Sequence, residues 1–408
     1  MSKLFVWVRL VDGTLRLAGE LATTDPLANS GRFQSEFEYT PQWSEDSASF
    51  ALDPESLPLK TSSRRFSADL FNPPLGIFDD ALPDDWGRSL LAAALKIEGR
   101  KSSPAEMLLR MRGGGTGALL FTETPTPPQP AATVQSKALP VLLAAAEKFE
   151  MGELPPEDEF RKLLEGSSRA GGARPKALVH DAEGEWLVKF PSQKRDGPHD
   201  VIGLEATCLE LARRAGLEVP ESHLLKIGRR RTLKVRRFDI TPQNGRLHMV
   251  SLRTLCLERP GVYVQAYSDL AQAVRKHSAA PKSDVAILFR HMVFNAAVGN
   301  VDDHLKNFWM LAKPGGYRLA PAFDLLPDIT GRFEHTLSFR SSFACPNHAD
   351  LMSIADEWNV DAARRIISQV TKAVRTFATI ARKLAVQGGE SLENISADIR
   401  GRLTAMGN

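Results

Sequence analysis

Cysteine is scarce, and its scarcity excludes two classes of site at once. Cys208, Cys256 and Cys345 are the three in 408 residues, far apart and without paired spacing, so neither a disulfide framework nor a cysteine zinc site is expected. A reducing, cytoplasmic setting fits. An excess of one charge is also missing: 52 Lys and Arg against 49 Asp and Glu leave +3, too little to argue nucleic-acid binding from bulk electrostatics. No apolar run approaches the ~20 residues of a membrane span. The opening MSKLFVWVRLVDG lacks the charged region and small-residue cleavage site of a signal peptide, and reads as a first strand. The nine histidines include no H-x-x-x-H pair, and no fixed-period repeat is present. With 43% hydrophobic and 25% charged residues, the composition is that of a globular protein long enough for two or three domains.

Residues 3–10, 14–20 and 33–40 are short, β-favouring and partly alternating, with Asp-Gly and Ser-Gly turn signals between them. They predict a β-rich opening subdomain. The pattern turns helical over 77–98, with Asp84 or Asp85 as cap and Trp86, Leu90, Leu91, Ala94 and Leu95 on one face; Trp86 reads as core. RGGGTGALLFTE (112–123) has the glycines of an anion cradle but lacks the lysine and helix of a P-loop, so it reads as a turn entering a strand. Four prolines within 124–132 predict an extended linker.

Beyond it, 137–150 and 155–168 read as amphipathic helices, the second stopping at Gly166. In GSSRAGGARPKALVHDAEGEWLVKF (166–190), the small residues Ala170, Gly171, Gly172 and Ala173 let the backbone approach phosphates, and Arg174 and Lys176 add positive charge. KALVH and EWLVKF alternate around a DAEGE turn, a hairpin with Lys189 on its second strand. In a kinase lobe such a lysine reaches the ATP phosphates and pairs with a helix carboxylate, here Glu205 or Glu210 on the helix predicted at 203–217. The structural alternative is a lysine snorkelling at a strand edge. GRRRTLKVRRFDI (228–240) is the most basic stretch, yet it has no interleaved aromatics or recognition-helix pattern, so it reads as a charged hairpin turn. From 264 onward, including 284–298 and 351–385, three- and four-residue apolar spacing predicts helices.

The densest chemistry lies in GNVDDHLKNF (299–308), just after an apolar helical run. Asp302 and Asn307 stand in the D-x-x-x-x-N relation of a kinase catalytic loop, in which the Asp takes the proton of an attacking hydroxyl and the Asn carboxamide coordinates Mg²⁺. Asp324, in APAFDLLP seventeen positions beyond Asn307, supplies the second carboxylate such a metal needs. His304 and Lys306, in the same loop, either touch the γ-phosphate or brace the loop.

GSSRAGGARPKALV, WLVKF, VRRFD, GNVDDHLKNF and APAFDLLP occur in the order found in the HipA family of serine/threonine kinases, the toxin halves of bacterial type II toxin–antitoxin systems. LFNPPLGIFDDALPDDWGRSLL likewise resembles that family's N-terminal subdomain. The resemblance implies an α+β, eukaryotic-protein-kinase-like two-lobed fold: a β-rich subdomain (1–123), the linker (124–132), an ATP-binding lobe (133–262) and an α-helical catalytic lobe (263–408). It implies ATP and Mg²⁺ as cosubstrates, a HipB-like helix-turn-helix antitoxin as partner, DNA contact only through that antitoxin, and a protein substrate; some members phosphorylate an aminoacyl-tRNA synthetase. Carried over by position, Asp302 corresponds to the catalytic aspartate, Asn307 and Asp324 to metal ligands and Lys189 to the phosphate-contacting lysine. Arg236, Phe238 and Asp239 fall in the segment that holds adenine. A serine of the family's phosphate loop becomes autophosphorylated and ejects the loop; Ser168 is the candidate here, with Ser167 beside it, although SSRAGGARPK has one more residue between serine and glycines than the family pattern. Two other classes remain open: a catalytically silent corepressor scaffold for an antitoxin, and a metal-dependent phosphate-ester hydrolase using the same Asp/Asn/Asp cluster.

Overall fold

Short β-favouring apolar runs build the first sheet. In the computed structural model of the protein, the strand Ser2–Arg9 buries Leu4, Val6 and Val8 at 0–1% exposure. It pairs antiparallel with Leu15–Thr23 on one side and Leu119–Thr122 on the other, with a bulge between Val6 and Trp7. Ser35–Tyr39 and Arg65–Ala68 continue the sheet beyond Leu15–Thr23. All residues are described except 1, 26, 28–32, 60–63, 69–75, 97–102, 112–114, 130–132, 168–171, 258–263, 265, 314 and 408.

The chain divides into two units, Met1–Ser192 with Arg237–Tyr263, and Gln193–Arg236 with Val264–Asn408. The proline-rich stretch lies within the first. That unit also contains the helices Asp85–Leu95, Leu139–Glu150 and Glu157–Ser167, and the hairpin Lys176–Asp181/Gly184–Lys189. The last of these helices runs through Gly166, expected as its stop, to Ser167. Gly166 is not among the glycines with a left-handed φ, so it does not make the turn of a stopping glycine.

In the second unit the charged GRRR stretch forms the expected hairpin, Ser222–Ile227 with Arg230–Arg236, turning on Gly228 at φ +58°. Its core is the helix Pro281–Val298, wholly buried from Met292 onward. A helix apolar all round must be covered on every side. Tyr267–His277, Ala363–Val374 and the final helix Glu390–Ala405 pack against it. Among the described residues no helix is long and apolar enough to cross a membrane. The architecture is mixed α+β, β-rich at its N-terminal end and helical at its C-terminal end.

Candidate active site

The buried helix Pro281–Val298 ends on Gly299, whose φ of +73° turns the chain sharply. Only glycine suits this place: the left-handed backbone disfavours side chains, and a Cβ would lie 2.9 Å from Arg402 Nε. Residues 300–304 belong to no helix or strand, and the two adjacent aspartates differ in burial. Asp302 faces solvent with its side chain 71% exposed, and Asp303 faces inward at 0%. A 3₁₀ turn, Leu305–Asn307, follows, anchored by buried Leu305 and Phe308. Asn307 Nδ2 donates to the Asp302 carbonyl at 2.8 Å, so the two residues of the D-x-x-x-x-N pattern are tied together, and Asn307 Oδ1 is left as an acceptor. His304 and Lys306 are half-buried on the same loop; the Lys306 carbonyl accepts from Trp309 Nε1 at 2.7 Å.

Asp303 is the loop's anchor. It accepts from Tyr267 Oη at 2.6 Å, His335 Nδ1 at 2.9 Å and the Thr336 and Leu337 amides at 2.8 and 3.3 Å. A buried carboxylate is tolerable only with such a set of donors. Burial together with the neighbouring Asp303 charge holds the Tyr267 hydroxyl well above its ordinary pKa, so it stays protonated and donates.

Asp324 is exposed, with a left-handed backbone at φ +57°, between the buried Ala322 and Leu325. A non-glycine residue there costs of order 1–3 kcal/mol, and such outliers gather at functional sites. Four residues on, Asp328 accepts from the amides of Thr330, Gly331 and Phe333, and those bonds lower its pKa against the opposing effect of its partial burial. The loop so ordered carries Arg332, whose Nη1 lies 4.0 Å from Asp302 Oδ1.

In the first unit, Ser168, Ala170 and Gly171 lie outside the described residues. Ser167 is 0% exposed at the end of its helix, and its hydroxyl finds no hydrogen-bond partner among the described residues. The glycine loop is gripped from the helix Asp85–Leu95: the Gly172 amide donates to Asp84 Oδ2 at 2.7 Å, the Trp86 amide to the Gly172 carbonyl at 3.3 Å, and Trp86 Nε1 to the Lys176 carbonyl at 3.2 Å. Asp84 does occupy the N-cap, but its carboxylate makes no capping bond and serves the loop instead. Trp86 is core, as expected, packed edge-on to Phe149. Gly172 has φ +96°, and a Cβ on it would run into the Lys176 ammonium. Lys176 is 5% exposed. It stands directly opposite Lys189 across the hairpin, so two like charges project from one face. Ala173 and Arg174 are half-buried beside them.

The side chains of the other expected residues are paired or partly buried. Arg236 Nε is 2.6 Å from Glu221 Oε2, and Phe238 is half-buried. Asp239 is 3% exposed; Arg237 holds it at 2.6 Å and the Gly117 amide donates to it at 2.8 Å. Desolvation opposes its charge, and these partners overcome it and lower its pKa. The Gly115 carbonyl accepts from Arg237 and Arg246. Carbonyls turned to cations suit a structural turn rather than an anion cradle. Glu210 binds Arg213 and Arg214 at 2.7 and 2.8 Å, whereas Glu205 is 6% exposed.

Sequence reasoning read Asp84 only as a cap and did not single out Asp303 or Arg402, whose partners Gly172, Tyr267 and His335 lie far off in the chain. Among the described residues no cluster of three or more His, Cys, Asp or Glu is arranged to hold a metal.

The sequence matches two family descriptions, the HipA N-terminal domain over residues 15–122 and the HipA-like C-terminal domain over residues 168–377. A Sinorhizobium fredii protein named "Putative kinase Y4mE" is 26% identical, across 84% of this chain and 86% of its own. A second protein of that organism, Y4dM, has the same designation and is 31% identical across 38% of this chain and 41% of its own. Among solved structures, HipA of Shewanella oneidensis MR-1, from a toxin–antitoxin complex with HipB and operator DNA, matches with a TM-score of 0.69 over 97% of this chain and 96% of that one, at 18% identity.

Proposed function

The chain belongs to the HipA family, and from that premise we propose that it is an ATP-dependent protein kinase that transfers the γ-phosphoryl group to a serine or threonine hydroxyl of another protein. The observation that carries this reading is the exposed Asp302 carboxylate, on a loop locked by the Asn307–Asp302 bond and anchored by Asp303. Asp302 accepts the proton of the attacking hydroxyl as the new phosphoester bond forms and ADP leaves. Lys176 and Lys189 stand opposite one another on one face of the hairpin, where they offer positive charge to the phosphates of ATP. Their fixed charges then favour the transition state, whose charge spreads over the phosphoryl oxygens. Gly172 and Ala173 supply backbone close to those phosphates.

The donor set fits Mg²⁺. One carboxamide oxygen, on Asn307, and one carboxylate, on Asp324, suit a hard cation that keeps waters and binds phosphate oxygens rather than one needing an all-protein cage. Bound there, Mg²⁺ supplies charge neutralisation between the phosphates. A helix-turn-helix antitoxin is the proposed partner, on the strength of the HipB complex of the Shewanella protein.

The test is incubation of the purified protein with γ-labelled ATP, Mg²⁺ and cell lysate, beside Asp302→Ala. A labelled protein band that disappears in the variant supports the reading. Release of inorganic phosphate without labelled protein points to a hydrolase, and binding of ATP without either points to a silent scaffold.

A further inference from the structure

The exposed Asp302 carboxylate has little of its own to aim it, with Arg332 Nη1 at 4.0 Å as the neighbouring cation. Its position is therefore set by the residues on either side, and both are tied to one short segment. The Val301 carbonyl accepts from the Thr336 amide and hydroxyl, each at 3.0 Å. Asp303 accepts from the Thr336 and Leu337 amides and from His335 Nδ1. Segment 335–337 is thus a splint along the catalytic loop.

The splint is in turn held by the last helix of the chain. Arg402 Nη1 faces His335 Nε2 at 3.3 Å. A guanidinium has donors only, so Nε2 is the acceptor and the ring proton sits on Nδ1, where it is donated to Asp303. Arg402 is 6% exposed, its Nε donates to Asp398 at 2.7 Å, and its Nη2 reaches the Phe333 carbonyl at 3.5 Å. The same guanidinium lies beneath Gly299, at the start of the turn. From the other side, Asn295 Nδ2 donates to Tyr267 Oη at 3.0 Å and Asn300 Nδ2 to Asn295 Oδ1 at 3.1 Å. Arg402 therefore touches the loop's first residue and, through one imidazole, the carboxylate beside Asp302.

We propose that Arg402, His335, Asp303 and Tyr267 form a positioning relay that makes the C-terminal helix part of the phosphoryl-transfer apparatus. The inference rests on the reading of Asp302 as the group that receives the hydroxyl proton. None of the four touches the reacting atoms; they act through Asp302. A displacement of about 1 Å at such a group costs up to ~10²-fold in turnover, whereas nucleotide affinity rests on other residues.

The experiment measures kcat for label transfer to protein, the Kd of a fluorescent ATP analogue with Mg²⁺, and thermal unfolding, in the full-length chain and in Arg402→Gln, Arg402→Lys, Tyr267→Phe and Asp302→Ala. Tyr267→Phe removes one hydroxyl and keeps the ring, so it preserves the fold if Arg402→Gln does not. The relay predicts kcat at least about tenfold lower in Tyr267→Phe and Arg402→Gln, with Kd within about twofold of the parent. Arg402→Lys, which keeps the charge and one donor, recovers part of the loss. Parental kcat in Tyr267→Phe and in folded Arg402→Gln, with Asp302→Ala inactive, overturns the relay and leaves the kinase reading standing. Parental kcat in Asp302→Ala overturns that reading, and the relay with it.

Discussion

Replacing Gly172 by alanine perturbs the glycine loop at its most constrained point. At φ +96° an L-residue is strained, by roughly 1–2 kcal/mol where left-handed backbone is forced on a side chain. The added methyl also meets the Lys176 ammonium, but that is the far end of a flexible side chain and moves aside at little cost. The strain, of order 1–2 kcal/mol, is well below a typical folding free energy of about 5–15 kcal/mol, so the loop changes shape while the protein stays folded. Recovering the binding shape then draws on nucleotide affinity at ~1.4 kcal/mol per decade, which predicts a Kd weaker by roughly 5- to 30-fold. Asp84→Ala is the companion variant. It leaves Gly172 intact and removes the 2.7 Å charge-assisted bond to its amide, with an expected loss of about tenfold. Fluorescent-nucleotide titration measures both, and thermal unfolding confirms that the fold persists. Parental affinity in Gly172→Ala, at an unchanged melting temperature, would falsify the assignment of this loop to phosphate binding.

Asp324→Ala lowers label transfer by ~10²-fold or more and, unlike Asp302→Ala, removes the Mg²⁺ dependence of nucleotide binding; retained dependence in a Mg²⁺ titration sinks its role as a ligand. Glu205→Gln reduces turnover at least about tenfold, whereas Glu210→Gln leaves it unchanged because Glu210 serves Arg213 and Arg214; equal effects in initial-rate assays refute the distinction. After incubation with ATP, mass spectrometry is expected to find phosphate on Ser168 or Ser167, and Ser168→Asp to bind nucleotide weakly, since the charge of a phosphoserine, about −1.5 to −2, or the single charge of the aspartate, repels the phosphates of ATP; undiminished affinity refutes self-inactivation. Burial pushes His248 and His291 down from 6.5 to about 4, so between those values the unfolded chain binds protons that the folded one refuses, and stability falls with falling pH by about 3 kcal/mol for each ring. Denaturant unfolding at pH 7 and pH 4.5 measures this, and a flat profile contradicts it.

What was legible in the sequence was contiguous. The hairpin that carries Lys189 and the Asn307–Asp302 bond lie in short stretches where spacing predicts proximity, and the β-rich opening follows from its short β-favouring runs. Asp84 shows the limit. A carboxylate before an apolar helical face reads as a cap, and nothing local says that it will take an amide 88 residues away. Arg402 was hidden differently. Ile395, Ile399 and Leu403 mark the buried side of the final helix, but an arginine beside that stripe reads as a solvated charge paired along the helix with Asp398, until the fold supplies His335.

The pair Asp302–Asp303 shows why such distant partners decide function. Of the two adjacent carboxylates Asp302 is exposed and Asp303 is buried, and a buried carboxylate demands several donors at once. Those donors come from Tyr267, 36 residues earlier, and from residues 335–337, 32 to 34 residues later. Had they been absent, burial of either aspartate would have been too costly, and the loop would have turned both outward without a fixed geometry. The inward aspartate is thus what gives the outward one a defined place. On the proposed reading, the exposed proton acceptor has its positional rigidity built on its neighbour.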